Sequence, residues 1–361
     1  MDSPRDPDLG ALRREIDDLD AQIVALINRR GDAARRVGLL KAQSGSPVYA
    51  PDREQQVLQR IRSLNTGPFP TETLVAIYRE LMSGSLAVER SPRIAFLGPK
   101  GSYSHLAAQS KFGASVEYEP VTGITAAFAE VERGHADYAV VPIENTLSGA
   151  IAETLDAFLN SSACICAEHY QPIHHNLLAR GPLSEVQRVY SKPEVFEQCR
   201  RWLLETGLYS RTVAVSSTSR AAELAAIEEG AAALASTLSA ELYGVPIQVA
   251  RVEDDPTNTT RFFVLGRSTP RPTGRDRSSL LFATPHRPGA LAEVLDLFRK
   301  AQVNLSMLTS RPRRRPGWDY WFFADADGHA DEESLRAVCA AGRELCPEWR
   351  VLGSYPRGDA E

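Results

Sequence analysis

The feature that most constrains this chain is an unbroken helical stripe at its start. From Leu9 the apolar residues Leu12, Ile16, Leu19, Ile23, Leu26 and Ile27 recur at steps of three and four, continuing through Val37 and Leu40. No proline falls between Leu9 and Pro47. The segment therefore predicts a helix of about 30 residues, roughly 45–50 Å long at 1.5 Å per residue. A domain of about 90 residues is narrower than that, so such a helix cannot bury its stripe inside its own domain. The excess length argues for pairing with a second copy of the chain.

Two shorter helical segments follow, Pro51 to Ser63 and Thr71 to Val88, separated by the breaker stretch Asn65 to Pro70, so the first unit is all-α. At Ser91-Pro92 the pattern changes. Arg93-Ile94-Ala95-Phe96-Leu97 reads as a buried strand, the glycine turn Gly98-Pro99-Lys100-Gly101 follows, and a helix starts near Ser104. Further strands are expected at Tyr138–Ile143, Ala163–Cys166, Arg188–Tyr190, Arg211–Val215, Ala232–Ala235 and Arg261–Leu265, which makes the middle unit α/β. Arg267 to Arg277 is polar and reads as a linker. The closing unit has a βαββα(β) order and predicts a small α+β, ferredoxin-like fold. The 361 residues thus divide into three expected domains, 1–90, 92–268 and 278–357.

With 43% hydrophobic and 24% charged residues and a net charge of −5, the composition is that of an ordinary globular chain and favours neither nucleic acid nor membrane as a partner. Residues Met1 to Asp6 lack the basic start and apolar core of a signal peptide, which places the expected location in the cytoplasm. The five cysteines are scattered. Cys164 and Cys166 have no second pair at zinc-finger spacing, so buried free thiols are expected rather than disulfides or a structural metal. His169, His174 and His175 likewise lack a regular ligand pattern.

Arg30 and Lys41 lie eleven residues apart, about three turns, and project from one face of the long helix; Arg13 is rotated roughly 100° off that face. Cations on a helix by themselves more often mark a solvated face than a site. The stretch Leu12 to Asp20, Asn28-Arg29-Arg30, Val37 to Lys41 and Pro51-Asp52-Arg53-Glu54, however, resembles the helical chorismate mutases in residue type and spacing. The resemblance covers nearly all of the first 90 residues. It implies an intertwined homodimer in which Arg13 completes the partner's pocket, while Arg30, Lys41, Arg53, Glu54, Ser85 and Glu89 line the pocket of the other chain. Chorismate is a dianion that rearranges within itself; arginine forks fit its carboxylates and Lys41 can donate to the breaking ether oxygen. Ala50 stands where some members carry aspartate, and Glu89 where some carry glutamine. Glu89 donates a hydrogen bond only when protonated, so mutase activity is expected to fall as pH rises.

The glycine turn, Val141 to Thr146, Tyr190-Ser191-Lys192-Pro193 with Gln198, Ser217-Thr218-Ser219 and Thr259-Thr260-Arg261-Phe262 each sit at a strand end or helix start, where open α/β sheets hold ligands. Taken singly, each reads as a helix cap. Together, over about 180 residues, they resemble prephenate dehydratase, a two-lobed α/β domain with its site between the lobes. The resemblance implies loss of water and CO₂ from prephenate with no metal or organic cofactor. It makes Thr260 the proton donor, with Glu144, Asn145, Thr146, Ser191 and Gln198 as polar pocket residues. Arg261 is a candidate carboxylate ligand, although strand alternation points it the other way.

Pro288-Gly289-Ala290-Leu291 and Thr309-Ser310-Arg311-Pro312 resemble the two effector segments of an ACT domain, the second usually written Glu-Ser-Arg-Pro. The implied effector is phenylalanine, held by Gly289, Ala290, Leu291, Thr309, Ser310 and Arg311. The run from Arg311 to Arg315 reads as a loop tip. Two alternatives remain beside the bifunctional reading: a dehydratase whose mutase segment is only a dimerising arm, and a non-catalytic amino-acid sensor.

Overall fold

The computed structural model describes residues 9–312 and 320–358. The expectations for Met1 to Asp6 and for Arg313 to Arg315 fall outside them. The chain opens with three helices, α1 (Leu9–Ser44), α2 (Pro51–Leu64) and α3 (Thr71–Arg90). Pro51 starts α2 at a position whose backbone N–H has no helical partner to lose. Helix α1 crosses α3 closely at Gly38, where an added Cβ would lie 2.9 Å from that of Glu89. No residue of α1 is buried. Its stripe stays open, with Ile16 56%, Ile23 51% and Leu40 65% exposed.

The α/β unit has two lobes. The first contains β1 (Arg93–Leu97), α4 (Tyr103–Phe112), β2 (Glu117–Val121), α5 (Ile124–Glu132), β3 (Tyr138–Asn145), β4 (Gly149–Ala150), α6 (Ala152–Asn160) and β5 (Cys164–Pro172). The second contains β6 (Asn176–Ala179), β7 (Arg188–Ser191), α7 (Pro193–Gln198), α8 (Arg200–Glu205), β8 (Thr212–Ala214), α9 (Thr218–Ile227), β9 (Ala231–Ala235), α10 (Thr237–Tyr243) and β10 (Ile247–Val249). The chain then returns to the first lobe as β11 (Thr259–Gly266), giving sheet orders β2-β1-β3-β11-β5, with β4 on β3, and β10-β6-β9-β7-β8. The two crossovers between lobes are stitched together by Ile173 N–H to Asn258 O and Val252 N–H to His175 O, both 2.8 Å.

The closing unit is β12 (Asp276–Ala283), α11 (Ala290–Lys300), β13 (Leu305–Pro312), β14 (Tyr320–Asp327), α12 (Glu333–Leu345) and β15 (Glu348–Pro356), with sheet order β13-β14-β12-β15. One face carries α11 and α12. The other joins the first lobe in a single core, where Phe158 and Phe263 pack with Leu281, Phe323 and Tyr355. Strands β15 and β5 meet so closely that a Cβ on Gly353 would lie 2.1 Å from Ile165 O. The expected linker therefore ends early: Asp276 and Arg277 already belong to β12 and are buried, because Arg277 is drawn into an ion network with Glu168. Among the described residues, no helix is long and apolar enough to cross a membrane.

Candidate active sites

Two side-chain ladders face each other across α1 and α3. Arg30 donates to Ser85 Oγ and, at 3.4 Å, to Leu81 O; Lys41 Nζ donates to Glu89 Oε2 at 3.0 Å and to Val48 O at 2.7 Å. Ser85 and Glu89 are four residues apart, one turn, which sets them on the same face of α3. Lys41 and Glu89 edge a cavity of about 720 Å³ whose opposite wall includes Asp137, Tyr138 and Arg267 of the α/β unit. In this geometry Glu89 accepts from Lys41 rather than donating. Gly38, which brings the ladders together, carries no chemistry, and nothing in the sequence singled it out.

The remaining mutase residues lie apart in the single chain. Arg13 is exposed near the start of α1. Arg53 points outward and pairs with Gln56 Oε1 at 3.2 Å. Glu54 faces the α/β unit, accepting from Tyr49 Oη at 2.7 Å and Lys111 Nζ at 2.8 Å. Burial, reinforced by that carboxylate, holds the Tyr49 phenol well above its ordinary range.

In the first lobe, β3 and β11 run antiparallel with Thr260 opposite Asn145, so the two side chains leave one face of the sheet. The Asn145 amide has a fixed sense: Oδ1 accepts from Leu147 N–H at 2.9 Å and Ser148 N–H at 3.1 Å. Its Nδ2 therefore donates to Thr260 Oγ1 at 2.9 Å and Asn258 Oδ1 at 2.7 Å. A hydroxyl whose oxygen accepts in this way keeps its own proton for another acceptor. Thr146 Oγ1 accepts from Thr259 N–H at 3.0 Å and pins the adjoining loop, while Glu144 lies half-buried beside it.

The glycine turn bridges the lobes. Ser236 and Ser239 donate to Gly101 O at 3.1 and 2.8 Å, and Ser219 donates to Lys100 O. Gly101 has φ of 84° and a Cβ there would lie 2.9 Å from both Ser219 Oγ and Ser239 Oγ, so only glycine fits. Its N–H donates to His105 Nδ1 at 3.1 Å, and that ring stacks on Phe96 with centroids 4.4 Å apart. Burial lowers the His105 pKa to about 4, and burial also lowers that of His169 to about 4.

Other expected pocket residues are committed elsewhere. Ser191 is fully buried and donates to Leu234 O at 2.8 Å. Gln198 Oε1 meets His175 Nε2 at 2.7 Å, and His175 Nδ1 meets Tyr103 Oη at 2.8 Å, a brace at the crossover between lobes. His174 pairs with Glu253 at 2.7 Å. Arg261 leaves the opposite face of β11 from Thr260, as alternation requires, and is buried among Glu168, Asp325 and Tyr355.

In the closing unit, Gly289, Ala290 and Leu291 border a hollow of about 330 Å³ together with Thr284, His286 and Tyr320. Thr309, Ser310 and Arg311 lie along β13 outside its lining. Arg311 instead grips Asp156 of α6 with two bonds of 3.1 and 3.0 Å.

Comparison with known proteins agrees with this three-part division. The prephenate dehydratase family matches residues 94–270, the type II chorismate mutase family residues 12–90, and the ACT-domain family residues 278–338. The bifunctional chorismate mutase/prephenate dehydratase of Aquifex aeolicus is 40% identical over 97% of this chain and 98% of its own. The prephenate dehydratase of Arthrobacter aurescens, solved in complex with L-Phe, superposes with a TM-score of 0.68 at 33% identity, covering 73% of this chain and 90% of that one. A structure described as a quorum-quenching acylase superposes equally well, at 0.68 and 30% identity over 73% of this chain and 97% of its own. The two-lobed scaffold is thus shared by proteins described by different chemistries, and side chains decide which reaction runs.

Proposed function

This chain belongs to the family of bifunctional chorismate mutase/prephenate dehydratases, and from that premise we propose which of its residues perform each step. The enzyme rearranges chorismate to prephenate and converts prephenate to phenylpyruvate, releasing water and CO₂. The mutase pocket is built on the Arg30–Ser85 and Lys41–Glu89 ladders. Arg30 anchors a carboxylate; the Lys41 ammonium, released from Glu89 when substrate enters, stabilises the negative charge growing on the ether oxygen. Arg53, turned outward onto Gln56, and Glu54, held by Tyr49 and Lys111, must swing inward to complete the substrate end, and Arg13 arrives from a second copy.

The open stripe on α1 supports a homodimer, with the two long helices packed together so that each Arg13 reaches the other chain's ladders. Covering that stripe also explains why none of α1 is buried in the single chain.

For the dehydratase, the observation that carries the assignment is the Asn145–Thr260 bond. It leaves the Thr260 hydroxyl free to protonate the departing ring hydroxyl while the C–C electrons of the leaving carboxylate restore the aromatic ring. Asn145 and Thr146 shape the polar wall beside it, whereas Glu144 leaves the other face of β3 toward Arg261; Ser191 and Gln198 act by holding the second lobe. The hollow at Gly289 to Leu291 is the proposed phenylalanine site, supported by the L-Phe complex of the Arthrobacter relative. Four of the five free thiols are buried, which suits a reducing compartment such as the cytoplasm.

Replacing Lys41 by Ala tests the division of labour. Prephenate formation from chorismate should fall while phenylpyruvate formation from supplied prephenate stays intact; equal loss of both would reject separate sites. Titrating the dehydratase with phenylalanine tests the effector site, and an unchanged rate at millimolar ligand would reject it.

A further inference from the structure

Strand β11 presents Thr260 on one face and Arg261 on the other, and the groups that hold Arg261 come from two domains. Its Nε donates to Glu168 Oε2 on β5 at 2.8 Å. Its other nitrogens reach into the ACT sheet: Nη1 donates to Asp325 Oδ2 on β14 at 2.5 Å, and Nη2 to Tyr355 Oη on β15 at 3.2 Å. We propose that Arg261 is a positioning residue for dehydration, through which the ACT sheet sets the placement of Thr260. The proposal rests on the reading of Thr260 as the proton donor.

The guanidinium is a rigid planar fork, so its three partners define one position and one orientation. Those partners are themselves fixed. Arg277 donates to both Glu168 oxygens at 3.0 and 2.8 Å and to Tyr170 Oη at 2.8 Å. Ser279 donates to Asp325 Oδ1 at 2.5 Å and meets Tyr355 Oη at 2.7 Å. Arg261, Arg277, Glu168 and Asp325 are all buried, and their two positive charges balance the two negative ones.

One link runs from this cluster toward the substrate side, the single peptide unit between Arg261 and Thr260. Glu144, opposite Arg261 in the β3 pairing and so on the same face, lies with its Oε2 3.9 Å from Arg261 Nη1. The pairing of β11 with β3 also shifts register between Arg261 and Phe262, and bulges of this kind re-aim side chains beside active sites. A sheet that moves relative to the first lobe must therefore either drag β11 or leave a buried charge unpaired. A displacement of about 1 Å in a reacting group is enough to cost up to about 100-fold in rate.

The test uses the full chain. Asp325→Asn should lower the dehydratase kcat about tenfold and leave KM for prephenate within about twofold, the pattern of a lost transition-state interaction. Mutase activity should be unchanged, and a retained cooperative thermal transition reports that the α/β and ACT units are folded. Tyr355→Phe, which removes a single hydroxyl, should give a smaller loss in the same direction. Adding Arg277→Met to Asp325→Asn restores the charge balance, so the thermal midpoint should rise again while kcat stays low, because Arg261 still lacks its charged ACT-side partner. Recovery of kcat along with the midpoint would show a merely structural role and overturn the proposal, as would unchanged kcat in both Asp325→Asn and Tyr355→Phe. Thr260→Ala measured in parallel separates the two failures: full dehydratase activity in that variant refutes the donor assignment itself, whatever Asp325 does.

Discussion

The shared mutase site can be tested by complementation between two inactive variants, Arg13→Ala and Lys41→Ala. Both residues lie on α1, a single helix from Leu9 to Ser44. They are separated by 28 positions, or about 42 Å at 1.5 Å per residue, so one chain cannot bring them to the same substrate. Each variant alone should lose mutase activity by about 10²–10³-fold, the usual cost of removing one donor to a developing or fixed negative charge. In a mixed dimer, the site built on the Arg13→Ala chain keeps its own Lys41 and receives the intact Arg13 of the Lys41→Ala chain. Random exchange makes half the dimers mixed, each with one complete site, so the mixture should recover about one quarter of wild-type mutase activity per total site. The assay is chorismate consumption after the two variants are unfolded together and refolded, or co-expressed. No recovery above the two separate variants, or full activity in Arg13→Ala alone, would refute the shared site.

Three further outcomes are expected. Ile23→Asp places a carboxylate near the middle of the α1 stripe on both chains; burying two such charges costs several kcal/mol, so dimerisation through α1 should weaken by at least about 10³-fold in sedimentation measurements, with mutase lost and dehydratase retained. Gly353→Ala pushes a methyl group into the Ile165 backbone, which no rotamer change relieves, so the ACT sheet must lift from the first lobe; a fall of about 5–10 °C in thermal midpoint is expected, and an unchanged midpoint would contradict the close contact. Burial holds His105 and His169 near 4, against an ordinary 6.5. The unfolded chain therefore takes up these protons first: the contribution is intact above about pH 6.5 and lost as pH falls toward 4. Dehydratase should fail only at the acid end of that window, near pH 4, where His105 Nδ1 itself becomes protonated and no longer accepts from Gly101 N–H; stability constant from pH 7 to 4 would contradict this.

Much of the architecture was legible because period and punctuation agreed. The α1 stripe carried its length and its lack of a covering partner, and the change at Ser91-Pro92 marked where helices give way to β1. Strands that are buried on both faces, such as β3 and β9, stood out as apolar runs. Strands β2 and β10 did not, because edge strands such as Glu117-Tyr118-Glu119-Pro120-Val121 alternate too weakly to be distinguished from loop. The Asn145–Thr260 pair was reachable from motif, since both residues mark strand ends. The grip of Arg261 on Asp325 was not, because the partners are 64 positions apart and meet only when two sheets stack. Arg261 was a candidate ligand on residue type alone; its side of the strand, which alternation did foretell, decides what it touches. Ser236, Gly38 and Gly353 escaped notice for a related reason: their importance is a matter of distance to a neighbour, which one sequence does not display.

The central claim is that one chain carries two independent sites, with Thr260 serving only the second. It is tested most directly by giving Thr260→Ala chorismate and following both products over time. Prephenate should accumulate at the wild-type rate with phenylpyruvate formation abolished. Phenylpyruvate at the wild-type rate, or loss of prephenate formation in a folded variant, would contradict it.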